Sequence, residues 1–385
     1  MIRAAARQLP VLVAVLFVAS VDNQILIPLL PDLAFELAAP IERLGLLLSL
    51  YAAAAAGTNL FLGPLLDRWG RLHFFRAGLV LLALAAAVAA EAQTLPLLVL
   101  ARGLAGAAGG ILATAVTTQV GDTFPYSARG RAMGIVLTAY FGALILGIPV
   151  GSAIADLGSW RWTFRLEALL SLLLLLATKR LIPVQGDGTQ PILGPLRRLW
   201  ERPAAAWPLL VSFCISGGTL AFLSFIGAFL RERFALSAAE ISLVFLVSGV
   251  AALAASPLSG VWSDRWTKRR VFLVANTLLV VPFCALPHLK SPGFLFAVVF
   301  VAGVLIATRQ TALQALQSEV LESSARGTYL ALRNTFSQAG IAVGVAAASV
   351  ILPEYGYAGV VWLAATATAL GSVILWLRRP PLAGE

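Results

Sequence analysis

The chain has 385 residues, of which 59% are hydrophobic and only 12% are charged, and its mean hydropathy is +0.89. A soluble domain would carry about twice that charged fraction, so the composition excludes an ordinary soluble protein. The net charge is +10. We assign this excess to orientation in a membrane, and no nucleic-acid partner is expected.

The apolar residues come in blocks of about 20, the length that crosses a bilayer as a helix, and the blocks are not the alternating pattern of a barrel. Span 1 follows a basic N-terminus that resembles the start of a signal peptide. It is longer than a signal-peptide core and contains Asp22-Asn23-Gln24, so we interpret it as a membrane helix. Twelve spans are predicted, near residues 9–31, 44–66, 73–90, 97–120, 132–155, 162–178, 206–230, 239–262, 271–289, 294–317, 328–352 and 358–377.

The chain is predicted to divide into two six-helix bundles. Residues 179–205, rich in Lys, Arg, Gly and Pro, form the predicted cytosolic linker between an N-terminal bundle, residues 1–178, and a C-terminal bundle, residues 206–385. Within the linker, residues 193–200 are predicted to lie on the membrane surface as a short amphipathic segment.

Two sequence matches at one spacing indicate that the halves are repeats. The loop after span 2 recurs 197 residues later, with Gly63, Asp67, Arg68 and Trp69 matched by Gly260, Asp264, Arg265 and Trp266. At the same spacing, Ser127-Ala-Arg129-Gly130 recurs as Ser324-Ala-Arg326-Gly327. Two repeats with a substrate site between them are typical of secondary transporters.

Lys and Arg side chains predict the orientation of the spans. With the N-terminus in the cytosol, the inner segments carry most of these residues, including the clusters within 68–76, 197–202 and 268–270. This positive-inside bias predicts that both termini are cytosolic. Both Asp-Arg loops then face the cytosol.

Several motifs resemble those of the major facilitator superfamily. The loop after span 2 is similar to the hallmark of that family at Gly63, Asp67, Arg68, Gly70 and Arg71, although Leu72 stands where a further basic residue is usual. Span 4 carries a similar Arg-x-x-x-Gly motif at Arg102 and Gly106. Span 1 resembles that of the drug:proton antiporters. Span 5 and the stretch after it resemble the proton-driven exporters at Gly147-Ile-Pro149-Val-Gly151 and Trp160-Arg161-Trp162-Thr-Phe164.

The resemblance covers the whole chain. It implies an all-α membrane protein with twelve transmembrane helices in two six-helix repeats, the major facilitator fold. It further implies a secondary active transporter of the drug:proton antiporter branch, which works by alternating access around a site near the bilayer midplane. Ile148 separates the glycine and proline that exporters usually place side by side.

Asp22 and Arg102 are the predicted proton-coupling residues. An unpaired carboxylate within a span costs about 2.5–3.5 kcal/mol or more, so Asp22 must be protonated, paired or hydrated. Arg102 is predicted at a comparable depth in span 4 and is the expected partner. The alternative is a permanent ion pair that only braces the two spans.

The resemblance also implies two gating regions. The predicted cytosolic gate comprises Gly63, Asp67, Arg68, Gly70, Arg71, Asp264 and Arg265. Its arginines could instead serve only as topological anchors. Gly147, Pro149 and Gly151 are expected to bend span 5 and to seal the outer side.

Polar and aromatic residues within the spans are the candidates for substrate contact. Gln310 and Gln314 share one face of span 10, and Arg309 lies beside them. The alternative for this stripe is hydrogen bonding between helices. The predicted substrate residues are Asn23, Gln24, Tyr140, Phe225, Arg309, Gln310 and Gln314.

The sequence contains no phosphate-binding loop, metal-ligand cluster or nucleophile elbow, so we expect no cofactor, no metal and no enzymatic activity. An ion gradient should supply the energy. We therefore predict a proton-coupled exporter of small amphipathic or hydrophobic compounds, monomeric and in the plasma membrane of a bacterium. The alternatives are a transporter of lipids or lysolipids, an exporter of sugars or metabolites, and a non-transporting receptor or membrane enzyme.

Overall fold

The computed structural model describes residues 2–184, 206–317 and 326–378, which are helical with short connections and contain no β-strand. Most of the predicted linker, with its amphipathic segment 193–200, lies outside these ranges. The helices of the first half are α1 (Ile2–Glu36), α2 (Ile41–Trp69), α3 (Arg71–Ala90), α4 (Leu95–Thr123), α5 (Tyr126–Gly142), α6 (Ile148–Asp156) and α7 (Arg161–Ala177). The helices of the second half are α8 (Ala206–Ser224), α9 (Ile226–Phe234), α10 (Ala238–Arg265), α11 (Lys268–Leu278), α12 (Val280–Ala285), α13 (Pro292–Gln317) and α14 (Arg326–Leu377).

Ten helical segments of the described ranges are long and apolar enough to cross a membrane. One of them, Ala331–Leu377, has 47 residues and contains two spans, separated by a break at Gly356 (φ 59°). The helix α7 is also apolar, but with 17 residues it is slightly shorter than these ten segments. Dividing the long segment and including α7 brings the apolar segments to the twelve that the sequence predicts.

Residue contacts group the chain into two compact units. The first unit comprises Met1–Ala39 and Leu50–Gly194, and the second comprises Pro40–Ser49 and Pro195–Glu385. The start of α2 therefore groups with the second unit, although it is near the N-terminus in sequence. This assignment differs from a strict division of the chain at its middle.

Spans 5 and 9 contain breaks. A bend in span 5 was predicted from the sequence, whereas its π-helical form and the break in span 9 were not. Residues Ala143–Gly147 form a π-helical turn between α5 and α6, in which the Ile148 N–H donates to the Ala143 carbonyl oxygen. Pro149, which follows this turn, has no N–H to continue the regular ladder, so the register changes here. Span 9 is likewise divided at Leu279, three residues before Pro282.

A glycine at positive φ makes the turn between α2 and α3. Gly70 has φ 77° and ψ 150°, a conformation that other residues adopt only with strain. Because the turn takes a single residue, α2 ends at Trp69 and α3 begins at Arg71. The glycine of the repeated loop motif is therefore a requirement of backbone geometry.

Glycines allow close packing of helices in each unit. In the first unit, Gly106 of α4 contacts the backbone of Tyr51 in α2, and Gly109 contacts the Tyr51 hydroxyl. In the second unit, Gly340 of α14 contacts the backbone of Phe213 in α8. Small residues at such contacts bring backbones within van der Waals distance, which drives helix association in lipid.

We expect Gly106→Ala to destabilise the protein, because its Cβ would overlap the Tyr51 backbone, which cannot move aside as a flexible side chain could. Overpacking of this kind costs about 1–3 kcal/mol. The melting temperature in detergent should fall. Gly121→Ala on the same helix is the matched control, because no atom lies within 4 Å of a Cβ placed there. Equal melting temperatures for the two variants would contradict the packing argument.

Candidate functional site

An ion pair is buried within the first unit. The Asp22 side chain on α1 and the Arg102 side chain on α4 are each 1% exposed. The Arg102 Nη1 group donates to Asp22 Oδ1, and Nη2 donates to the Asp22 backbone carbonyl oxygen at 3.1 Å. The structure thus brings together the two residues predicted to form the proton-coupling pair. Their role in coupling stays a prediction.

Tyr51 supports the Arg102 guanidinium from α2. The Arg102 Cζ atom lies 4.6 Å from the centroid of the Tyr51 ring, in cation–π geometry. Tyr51 is 3% exposed, so it is a packed residue that completes the environment of Arg102. The glycines Gly106 and Gly109 leave the space that this ring and its backbone occupy.

Glu167 of α7 is a third ionisable group at this site, and the sequence analysis missed it. Its side chain is 6% exposed. It interacts electrostatically with Asp22 and Arg102, and its helix α7 packs against α1. The signal was present in the sequence, because Glu167 is a carboxylate inside an apolar block, and such residues are functional candidates by default.

Several polar atoms of this cluster have no hydrogen-bond partner within the described part of the chain. They are Asp22 Oδ2, Glu167 Oε1 and Arg102 Nε. All three are buried. Since buried polar atoms are nearly always paired, these oxygens mark a position where a donor is required.

The glycine motif of span 5 positions the segment of α1 that carries Asp22. Gly147 packs against Val21, and Gly151 packs against Ile25. The two contacts are four residues apart in both segments, so one face of the π-turn and α6 lies along one face of α1. A Cβ at Gly147 would overlap the Val21 side chain, and a Cβ at Gly151 would overlap the Ile25 side chain, so these side chains on either side of Asp22 would have to move.

The other predicted substrate residues of the first unit are Asn23, Gln24 and Tyr140. Asn23 and Gln24 are half-buried in α1, directly after Asp22. Tyr140 of α5 is exposed and interacts electrostatically with Tyr51. Their contact with a substrate stays a prediction.

In the second unit, neutral groups surround Arg309, which is 2% exposed. Its guanidinium donates to Asn276 Oδ1 at 2.7 Å, to the Thr219 hydroxyl, and to the Ile215 carbonyl oxygen at 3.4 Å. Asn276 in turn donates to the Thr368 carbonyl oxygen at 2.7 Å. Asn276 and Thr219 were not among the residues predicted from the sequence, and their contacts direct Arg309 towards α8 and α11.

The remaining predicted substrate residues of this unit differ in burial. Gln310 and Gln314 are half-buried on α13. Phe225 is 1% exposed and stands at the break between α8 and α9. Their assignment as substrate contacts stays a prediction.

The predicted cytosolic gate is only partly described. Arg71 forms an ion pair with Asp122 of α4, within the first unit. Arg68 and Arg265 are exposed. The side chains of Asp67 and Asp264, and the packing around Gly63, lie outside the described part of the structure.

The residues after span 5, from Trp160 to Phe164, connect the start of α7 to the ends of α1 and α3 by hydrogen bonds and an ion pair. The Trp160 indole N–H donates to Glu36 Oε2 at 2.5 Å, and Arg161 pairs with the same carboxylate. Arg161 also donates to the Ala92 carbonyl oxygen at 2.8 Å. Phe164 meets the Trp160 ring edge to face, with centroids 5.8 Å apart. This network fixes the start of the helix that carries Glu167.

Comparison with known proteins gives the family. A family model described as Major Facilitator Superfamily matches residues 12–237 and 208–385. The chain is 30% identical over 371 residues to the uncharacterized MFS-type transporter YwfA of Bacillus subtilis, covering 93% of this chain and 88% of that protein. It is 29% identical over 331 residues to a chloramphenicol resistance protein of Streptomyces lividans, covering 84% and 82%.

Two further similarities agree. A probable sugar efflux transporter of Mannheimia succiniciproducens is 24% identical over 365 residues, covering 94% of this chain and 90% of that protein. A crystal structure of a bacterial homologue of the human lysosomal transporter Spinster has a TM-score of 0.73 with 14% sequence identity, covering 97% of this chain and 95% of that one. The structural match concerns the fold alone. Together these findings confirm the predicted fold, and the chain belongs to the major facilitator superfamily, as an integral membrane transporter and not an enzyme.

Proposed function

We propose that the protein is a proton-coupled exporter of small amphipathic or hydrophobic compounds, which works by alternating access in the plasma membrane of a bacterium. Relatives named as a chloramphenicol resistance protein and as a probable sugar efflux transporter support export. Both termini and the gate residues of the Asp-Arg loops are proposed to face the cytosol.

The observation that best supports proton coupling is the buried contact of Asp22 with Arg102. Both side chains are 1% exposed, so the loss of either charge is not compensated by water. Breaking a buried pair by removing one partner costs about 3–5 kcal/mol. Protonation of Asp22 removes one charge in the same way, and it therefore changes the free energy of the conformation in which the pair is closed.

Coupling follows if proton and substrate favour different conformations. A ligand shifts a conformational equilibrium only by its difference in affinity for the two states. If protonation weakens substrate binding, substrate binding must weaken proton binding to the same degree. The proposed substrate contacts are Asn23, Gln24 and Tyr140 in the first unit and Phe225, Arg309, Gln310 and Gln314 in the second.

We expect Asp22→Asn to abolish uptake driven by a pH gradient in proteoliposomes while leaving the protein folded, because asparagine cannot exchange a proton. The probes are chloramphenicol, a cationic dye and a lysophospholipid, each measured with and without the gradient. Glu91→Gln is the control, since this carboxylate is exposed and pairs with Arg165. Full gradient-driven accumulation by Asp22→Asn would refute the coupling role.

The probe that is transported decides between the exporter and its alternatives. Movement of lysophospholipid without movement of the dye or chloramphenicol would replace the proposed substrate class with lipids. Binding of a probe without any flux would indicate a receptor.

We expect Arg102→Lys to lower both the melting temperature and the gradient-driven uptake. The guanidinium donates to two oxygens of Asp22 and lies over the Tyr51 ring, and one ammonium group cannot reproduce this geometry. Each lost hydrogen bond to a charged group costs about 1.5–3 kcal/mol. Arg165→Lys is the matched control, because Arg165 forms an exposed pair with Glu91. Equal effects of the two substitutions would contradict the importance of the buried geometry.

A further inference from the structure

The buried cluster of the first unit holds two carboxyl groups but one guanidinium. Asp22 and Glu167 are 1% and 6% exposed, and Arg102 lies against Asp22. With both carboxyls ionised, the cluster carries one uncompensated negative charge. An unpaired charge away from water is so costly that the group takes up a proton instead.

The hydrogen bonds indicate where such a proton belongs. Arg102 satisfies Asp22 Oδ1, whereas Asp22 Oδ2 and Glu167 Oε1 are buried and lack a partner among the described residues. The two carboxyls nevertheless interact with each other, and the helices α1 and α7 that carry them pack together. Two carboxylate oxygens can form a hydrogen bond only if one of them carries a proton.

We propose that Asp22 and Glu167 share one proton beside Arg102, and that this shared proton is the ion that the transporter couples to export. The coupling role rests on the proposed function, whereas the position of the proton does not. With the proton bound, the cluster is neutral. With the proton released, two like charges face each other, and the hydrogen bond that the shared proton makes between Asp22 and Glu167 is lost.

The charged and titratable groups around Glu167 are consistent with this assignment. Asp22 faces it from α1, Arg102 from α4 and Tyr51 from α2, and Tyr51 also interacts with Tyr140 of α5. Helix α3 packs on α7, and the charged and titratable residues of α3 lie at the start of α3, at Arg71, His73 and Arg76. Asp156 is the last residue of α6. On α7 itself, Arg161 and Arg165 pair with Glu36 and Glu91. Thus Arg102 is the cation that both carboxyls share.

Such a pair titrates as a unit, so one residue cannot be assigned the proton by itself. Removal of either carboxyl leaves one carboxylate beside Arg102. The remaining carboxylate and the guanidinium together are neutral without a bound proton. Glu167→Gln and Asp22→Asn should therefore both eliminate the proton. This prediction differs from the simpler scheme in which Asp22 alone carries it.

Infrared difference spectroscopy of the purified protein, stepped from mildly acidic to alkaline pH, tests the position of the proton without any substrate. The wild type should show the carbonyl stretching band of a protonated carboxyl, lost on the alkaline step. Glu167→Gln and Asp22→Asn should lack this band. Glu91→Gln should retain it unchanged. A band of wild-type intensity in Glu167→Gln, or its absence from the wild type, overturns the proposal.

Glu167→Asp covers the case in which the glutamine variant does not fold. This variant keeps a carboxyl at a changed distance, so the band should persist at a shifted frequency. An unshifted band would place the proton elsewhere and overturn the proposal.

Gradient-driven uptake of the transported probe in proteoliposomes then separates this inference from the proposed function. Loss of uptake in Glu167→Gln, together with the expected infrared result, supports both. Wild-type uptake in Glu167→Gln overturns the role of Glu167 in coupling and leaves the exporter intact. If the band behaves as expected but no pH gradient drives uptake in the wild type, the proposed function fails and the coupling role with it, while the position of the shared proton stands.

Discussion

The buried guanidinium of Arg102 is the constraint on which the first unit depends. A cation inside an apolar bundle needs counter-charges and acceptors that remain in place, because water cannot replace them. Asp22 supplies two of these oxygens, and Tyr51 supplies the face of its ring. The glycines of α4, the π-turn and α6 allow these groups to approach. The motifs that appear separate along the chain therefore describe one packed environment.

The sequence was sufficient for the fold and for part of the site. Apolar blocks and the repeated loop predicted the spans, and the depth of two opposite charges predicted the contact of Asp22 with Arg102. Depth alone did not reveal Glu167, because the direction in which a helix turns its side chains depends on packing against its neighbours. The contacts of Tyr51 with Arg102 and of Asn276 with Arg309 were missed for the same reason, since an aromatic or amide side chain in an apolar span has many potential partners.

The breaks within the spans also needed the structure. Pro149 suggested a bend, but the π-turn before it depends on the backbone hydrogen bonds of the whole span. The register of these hydrogen bonds decides which faces of α1 and α6 meet. Gly356, with φ 59°, ends one span and begins the next within a single helical run. In both places a residue that permits an irregular backbone sets the geometry of long segments on either side.

The two repeats stabilise a buried arginine by different means. Arg102 is paired with a carboxylate and has a second carboxylate nearby, whereas Arg309 is held by an amide, a hydroxyl and a backbone carbonyl oxygen. A proton can neutralise a carboxylate, but it cannot change the charge of those neutral acceptors at any physiological pH. Of these two arginine clusters, only the one in the first unit can therefore respond to a proton. The two homologous halves thus differ in the groups that hold their buried arginine, which are carboxylate oxygens around Arg102 and neutral acceptors around Arg309.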